Sequence, residues 1–187
     1  MRALLAIFMV VLFACPVYSL TISDVNVAEE VTVDDGTTLQ LNGAGIRSKF
    51  IFDIYIAELY LEKSIKDAAQ VIADPGHKRV VMHFLYKSVG QEKLVDGWNE
   101  GFSGNLSADD KAKLQPRIDM FNAMFTEEMK SGDVVVFDYL PDTGTRVTIK
   151  DTVKGIIPGK DFNDALLSIW LGDEPVGSSL KKAMLGQ

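Results

Sequence analysis

The chain has 187 residues, with 26 acidic and 19 basic side chains that give a net charge of −7 at pH 7. Because so acidic a protein repels phosphate backbones, the composition argues against nucleic acid as a partner. Cys15 is the single cysteine, which excludes an intramolecular disulfide and a cysteine-based metal site, and we predict neither a metal ion nor a cofactor.

The first residues, 1–19, predict a cleavable signal peptide. Arg2 supplies a positive charge, an apolar run follows over residues 4–13, and the small residue Ser19 marks the expected cleavage point. The apolar run, about 10 to 12 residues, is shorter than the roughly 20 needed to cross a hydrocarbon core. Processing as a lipoprotein acylated at Cys15 remains an alternative. We expect a periplasmic or secreted protein without a transmembrane segment after cleavage.

Residues 20–187 show no repeat or linker, so we expect them to form one domain. The pair Asp35-Gly36 lies between β-branched runs and predicts a hairpin. Residues 49–62 are apolar on both faces, which predicts a strand inside a covered sheet. Polar interruptions at Asp53 and Glu58 indicate a change of face, such as a bulge, within that strand.

The rest of the chain alternates between helices and strands. Ser64 is the expected N-cap of a short helix that ends before Pro75, and Asp161 is the expected cap of a later one. Pro116 is expected to kink or restart a helix that opens at Ser107. The predicted elements are a helix over 64–73, a strand over 78–87, a helix over 90–102, a helical stripe continuing to Met129, a hairpin over 133–151, and helices over 161–172 and 178–185.

This order of elements predicts an α+β domain in which helices pack on one face of a mainly antiparallel sheet. A small-molecule cavity would lie between the two layers. The sequence contains no HExxH, GxSxG, Walker or GxGxxG motif. Of the two histidines, His77 is interpreted as a loop residue and His83 as a structural residue of a strand.

Residues 41–47, Leu-Asn-Gly-Ala-Gly-Ile-Arg, stand out from this background because two glycines precede a cation at the entrance to the buried strand. This segment is followed by Tyr60-Leu61-Glu62 and, near the C-terminus, by the run over residues 169–176. Together these motifs resemble the chalcone isomerase family, with agreement in order from about residue 39 to residue 186.

The resemblance implies an open-faced β-sandwich, with one large antiparallel sheet, helices over it and a ligand cavity between. In the plant isomerases of the family, an arginine at this motif polarises the substrate ketone, and Arg47 matches that position. The other catalytic positions differ in this chain. Tyr55 stands where the family has a threonine, Phe84 and Lys93 fall near its lysine and tyrosine, and Ile169 falls near a second threonine.

The family also has non-catalytic members that bind fatty acids, in which the arginine and a tyrosine hold the carboxylate. The resemblance therefore implies a non-catalytic binding protein for a small apolar anion such as a fatty acid, held by Arg47 at the cavity mouth, and the predicted signal peptide adds that this protein is exported. A guanidinium fits a carboxylate with two hydrogen bonds. Tyr55, with Tyr60 as a second choice, and Asn99 are the further expected ligand contacts. The residues expected to line the tail are Phe50, Phe52, Ile54, Phe84, Trp98 and Ile169.

Three alternatives stay open at this stage. The protein could be an isomerase, an intramolecular lyase acting on a flavonoid-like or enone substrate with Arg47 as the electrophile. It could instead be a partner-binding envelope protein whose cavity is filled by its own side chains. Arg47 could also be structural, neutralised by an acid such as Asp53.

Overall fold

The computed structural model describes residues 19–187. The predicted signal peptide and the alternative processing at Cys15 therefore lie outside the described residues. Within those residues, no helix combines the length and the apolar character needed to span a bilayer.

Eleven strands and five helices make up this part of the chain. In chain order they are β1 (Ser19–Ile22), β2 (Val25–Ala28), β3 (Glu30–Thr32), β4 (Thr38–Lys49), β5 (Phe52–Leu61), α1 (Ala68–Ala73), β6 (Lys78–Phe84), β7 (Ser88–Val89), α2 (Gln91–Asn105), α3 (Ala108–Asn122), β8 (Met129–Lys130), β9 (Val134–Leu140), β10 (Gly144–Ile149), β11 (Thr152–Ile157), α4 (Lys160–Leu171) and α5 (Ser178–Met184).

Seven of the strands form one antiparallel sheet in the order β11-β10-β9-β6-β5-β4-β3. β5, the strand predicted to be central, has β4 on one side and β6 on the other. The hairpin β1-β2 and the short pair β7-β8 lie outside this sheet. The predicted α+β class, with a large antiparallel sheet and helices, is confirmed.

One face of the sheet is covered by helices, and the main core lies between these layers. Residues of α2, α3 and α4 pack there against alternate residues of the strands. Aromatic rings fill much of the space, and the ring of Trp98 lies within 6 Å of those of Phe121, Phe137 and Trp170. The back face carries a smaller apolar cluster, which includes Val33, Leu39, Tyr60 and Val81.

Two bulges shape the β4-β5 pair. Asn42 is the extra residue on β4, and Ile54 is the extra residue on β5 beside the pair Arg47-Tyr55. A bulge bends its strand and redirects the side chains next to it. The predicted change of face near Asp53 is confirmed, whereas Glu58 is regularly paired and directs its side chain to the back face beside Tyr60.

The Asn-Gly-Ala-Gly segment belongs to strand β4 and holds the C-terminal helix against it. The buried Asn42 side chain donates to the carbonyl oxygens of Ile65 and Met184 and accepts a bond from the Ile65 amide. A Cβ on Gly43 would lie 2.1 Å from the carbonyl oxygen of Ala183. Gly43 therefore permits the close approach of α5 to the strand.

Several predicted boundaries were wrong near the first helix and the central strand. β5 begins at Phe52 because β4 continues to Lys49 and the chain reverses over residues 50–51. α1 begins after Asp67, whose side chain accepts from the Gln70 amide at 2.8 Å, and not after Ser64. The intervening Ile65 is instead bound by Asn42.

The later helices also differ in detail from the predictions. α3 opens after Ser107 as expected but runs through Pro116 without a restart and ends at Asn122. Met129 is therefore not helical, and it pairs with Val89 in the β7-β8 ladder. Gly159, with φ of 95°, is the N-cap of α4.

Candidate functional site

Two adjoining spaces lie between β4-β5 and the helix layer. The first space, which we call the inner cavity, has a volume of about 70 Å³ and is lined by residues of β4, β5, β6, β7, α2 and α4. The outer cleft, of about 420 Å³, opens from it toward the β4-β5 turn. The residues that line both spaces mark their junction, and they are Arg47, Ile54, Val89, Lys93 and Gly97.

Arg47 is placed at this junction by β4. It pairs with Tyr55 on β5 next to the bulge at Ile54. Its guanidinium carbon lies 5.7 Å from the centre of the Tyr55 ring, within the range of a cation-π contact. The residue is half-buried, and it lines both spaces.

Arg47 differs from the other described arginines in having no acidic partner. Arg79 and Arg146 bind the two oxygens of Asp138 at 2.5 and 2.9 Å, and Arg117 binds Asp161 at 2.6 Å. Within residues 19–187, no carboxylate oxygen comes within 4.0 Å of a guanidinium nitrogen of Arg47. Its hydrogen-bonding fork is therefore available to an anion from outside this part of the chain.

Tyr55 forms the floor of the inner cavity beside Arg47. The side chain is only 5% exposed, and its hydroxyl oxygen accepts a bond from Trp170 Nε1 at 3.0 Å. Burial raises the pKa of the Tyr55 phenol to about 12, although the charge of Arg47 and the Trp170 bond lower it. The phenol is therefore neutral at pH 7, and within residues 19–187 its hydroxyl donates no hydrogen bond.

A second unused donor lies in the same wall. The buried indole Nε1 of Trp98 has no hydrogen-bond partner within the described part of the chain. Buried donors require partners, and because Trp98 lines the inner cavity, a polar guest there is a candidate partner for this group. At roughly 30 Å³ for each water, the cavity of about 70 Å³ has room for two waters or for a group of similar size.

The other predicted ligand contacts lie away from the inner cavity. Tyr60 is five residues from Tyr55 on the same strand, so alternation places it on the back face. Its hydroxyl donates to Glu58 Oε2 at 2.7 Å. Asn99 accepts a bond from Asn122 Nδ2 at 2.9 Å and thereby joins α2 to α3.

The residues predicted to surround a ligand tail divide between the two spaces. The three from the β4-β5 pair line the outer cleft, and they are Phe50, Phe52 and Ile54. The three from other elements line the inner cavity, and they are Phe84, Trp98 and Ile169. The residues expected to line one tail cavity thus lie in two adjoining spaces that share part of their lining.

Sequence reasoning missed what α2 contributes to the site. Lys93 and Gly97 lie one turn apart on its surface and line both spaces. A Cβ built on Gly97 would meet no atom within 4 Å, so this glycine leaves the junction open. The sequence did contain a signal for this. Lys93 is followed by glycines at 97, 101 and 104, a spacing that places positions without side chains on one face of a helix.

The lining of the inner cavity favours binding of an anion. It contains Arg47, Lys93 and two neutral donors, Tyr55 and Trp98, and no histidine or carboxylate among the residues described. His83 lies near the back face, with its Nε2 3.0 Å from Glu58 Oε1. The side chains around Arg47 can thus bind and orient an anionic group, and none of them is an evident general base.

The sheet and the helix layer, with a cavity between them, define an α+β protein of the open-faced β-sandwich type. A solved structure with this fold is the fatty-acid binding protein of Arabidopsis thaliana, which matches with a TM-score of 0.59 and 13% identity over 84% of this chain and 96% of that chain. At that identity the likeness shows the fold alone.

The sequence profile of the family described as chalcone isomerase-like matches residues 19–186. The chain belongs to the chalcone isomerase-like family, and the resemblance inferred from the Arg47 segment and the C-terminal run is confirmed. A comparison with curated protein sequences finds no match.

Proposed function

We propose that this protein is a non-catalytic binding protein for a small apolar anion such as a fatty acid, and that Arg47 binds the carboxylate. The observation that carries this proposal is the half-buried guanidinium without an acidic partner, at the junction of two spaces. A bound carboxylate would supply the missing charge and accept two hydrogen bonds from the fork.

The volumes of the two spaces support a placement for the two ends of such a ligand. The inner cavity, about 70 Å³, suits a carboxylate and the first carbons of a chain. The outer cleft, about 420 Å³, lies within the range of about 300–1,000 Å³ common for ligand sites. The carboxylate therefore sits between Arg47 and the Tyr55 hydroxyl, and the apolar tail lies along Phe52 and Ile54.

The family and the N-terminal sequence support the same role. A protein with this fold is named for fatty-acid binding, and the likeness of fold makes an apolar ligand reasonable here. We further propose that the chain is exported and cleaved near Ser19, since residues 1–19 have the order of a signal peptide.

The test is to purify residues 20–187, extract the protein with organic solvent and identify co-purified molecules by mass spectrometry. The account expects a long-chain carboxylic acid from the wild type and much less from Arg47→Ala. Arg117→Ala is the matched control, because that arginine already binds Asp161. An empty wild-type protein, or equal ligand in Arg47→Ala, would contradict the proposal. Cyclisation of a chalcone faster than in buffer would instead support the isomerase alternative.

A further inference from the structure

The turn between β4 and β5 exposes a cluster of large apolar side chains, which we call the apolar tip (residues 50–52). Phe50 is 92% exposed, Ile51 is 88% exposed and Phe52 is 48% exposed. Single exposed apolar residues are common, but three in succession at the end of a hairpin form a patch that indicates an interaction site. Phe52 is backed by Tyr86, whose ring centre lies 5.3 Å away.

The backbone of the apolar tip is unfavourable for the residues that occupy it. Phe50 has φ of 57°, in the left-handed region that favours glycine. Hairpins with a two-residue turn commonly place glycine at such a position. A phenylalanine at this φ costs conformational free energy. Its ring is exposed, so the isolated fold gains no free energy from burying it. Local stability therefore does not explain why the turn carries an exposed aromatic residue.

Basic residues surround the apolar tip on an otherwise acidic protein. Lys49 precedes it, and Arg47 and Lys93 line the outer cleft beside it. Lys87 follows Tyr86 and is exposed. The nearby acids are Asp53, which accepts a bond from Ser48 at 2.6 Å, Asp96 and Glu100, which line the cleft, and Glu128, which accepts a bond from Ser88 of the cleft lining. The residues that line the outer cleft thus include three positive and two negative side chains, while the chain as a whole has a charge of −7.

We propose that the apolar tip inserts into the surface of a membrane containing anionic lipid, with the surrounding lysines against the headgroups. Apolar side chains flanked by cations are the combination that binds such an interface. Phe50 and Phe52 also form part of the wall of the outer cleft. A docked protein would therefore present the opening of the cleft to the bilayer, and an amphipathic molecule could pass between the bilayer and the cleft.

The expected effect of each group on membrane affinity follows from its chemistry. Moving one Phe or Ile side chain from water into an apolar phase favours binding by on the order of tenfold or more. Each lysine near an anionic surface contributes about fivefold, and this part weakens as salt increases. Both contributions must be present, because either one alone gives only marginal binding.

The experiment is co-sedimentation of delipidated residues 20–187 with vesicles of phosphatidylcholine, with and without an equal amount of phosphatidylglycerol. Binding is expected only with phosphatidylglycerol, and at least tenfold weaker for the double variant Phe50→Ser, Ile51→Ser. Lys49→Glu should weaken it about fivefold or more at low salt. Val153→Ser is the matched control, since Val153 is 57% exposed on the edge strand β11 and should not affect binding.

Two further variants separate membrane docking from a folding effect. Phe50→Gly suits the turn better, so its melting temperature should equal or exceed that of the wild type while its vesicle binding falls. Phe50→Trp adds an exposed indole to a protein whose Trp98 and Trp170 are buried. Its fluorescence should shift to the blue when phosphatidylglycerol vesicles are added.

The proposal is overturned if the wild type does not bind the anionic vesicles, or if Phe50→Gly binds them as tightly as the wild type. It is also overturned if the tip variants abolish a dimer detected by sedimentation while vesicle binding is absent, because the tip would then contact a second copy. Arg47-dependent binding of a fatty acid in vesicle-free solution would be unaffected by either result, so the two proposals fail separately.

Discussion

Replacing Arg47 by glutamine should weaken the binding of decanoate by about thirtyfold. Glutamine removes the positive charge and the two parallel donors of the guanidinium. It keeps a polar side chain at the position on β4 that pairs with Tyr55 of β5. Hydrogen bonds to a charged group are worth about 1.5–3 kcal/mol. Because Arg47 is only half-buried, a loss of about 2 kcal/mol is expected, and about 1.4 kcal/mol corresponds to each tenfold change in Kd.

Isothermal titration calorimetry of the delipidated protein measures this loss, and a second ligand shows its origin. Decanol has a similar tail without a charge, so its affinity should hardly change in Arg47→Gln. Arg47→Lys keeps the charge without the fork and should fall between the wild type and Arg47→Gln. Arg117→Gln removes an arginine already paired with Asp161 and should bind decanoate normally. Equal losses for decanoate and decanol would refute the pairing of Arg47 with the carboxylate.

Three other substitutions test the site and its support. Gly97→Leu should reduce decanoate affinity at least tenfold by filling the open junction, while thermal unfolding shows equal or greater stability because glycine is a poor helix former; unchanged affinity would contradict the assigned junction. The free energy of unfolding of the wild type should fall between pH 10 and pH 12, because the unfolded phenol loses its proton near 10 while the pKa of Tyr55 in the fold is about 12. In urea titrations at those pH values the free energy of unfolding of Tyr55→Phe should fall less steeply, and identical slopes would contradict the buried, neutral phenol. Asn42→Ala should lower the free energy of unfolding by about 3 kcal/mol because three bonds to backbone groups are lost, whereas Asn26→Ala, on an exposed hairpin, should change it little, and equal effects of the two would contradict the structural role of Asn42.

Local patterns were sufficient to predict most of the elements and their order. Asp35-Gly36 marked the β3-β4 hairpin, and apolar residues on both faces of residues 49–62 marked the interior strand found at Phe52–Leu61. The glycines at 43 and 45 stood out in the sequence, and the structure shows that their partner is a helix about 140 residues later. Sequence patterns report local conformation, so they did not name α5 as that partner.

The boundaries that failed were set by tertiary contacts. Asn42 binds Ile65, which keeps residues 64–66 out of α1 and leaves Asp67 as its cap. The turn at Phe50 has no glycine or asparagine, so nothing in its residue types marked a reversal of the chain there. Met129 continues the apolar spacing of α3 but is paired with Val89 in a short ladder.

For the site, the sequence pointed to Arg47 and Tyr55, and the structure places both at one cavity. The alternation of β5 already separates Tyr55 from Tyr60, so simple counting would have removed Tyr60 from the site. The shape of the inner cavity depends on how the ring of Trp98 packs against Trp170 of α4 and Phe137 of β9. That packing follows from the whole fold, and no single motif encodes it.

The most direct test of the central claim is the pKa of a bound carboxyl group. Decanoate labelled with carbon-13 at its carboxyl carbon can be titrated by NMR while bound to the wild type and to Arg47→Gln. If Arg47 is the counter-ion, the bound carboxyl should have a pKa at least about one unit below that of free decanoate in the wild type, and this lowering should disappear in the variant. A bound pKa in the wild type equal to or above that of the free acid would contradict the account.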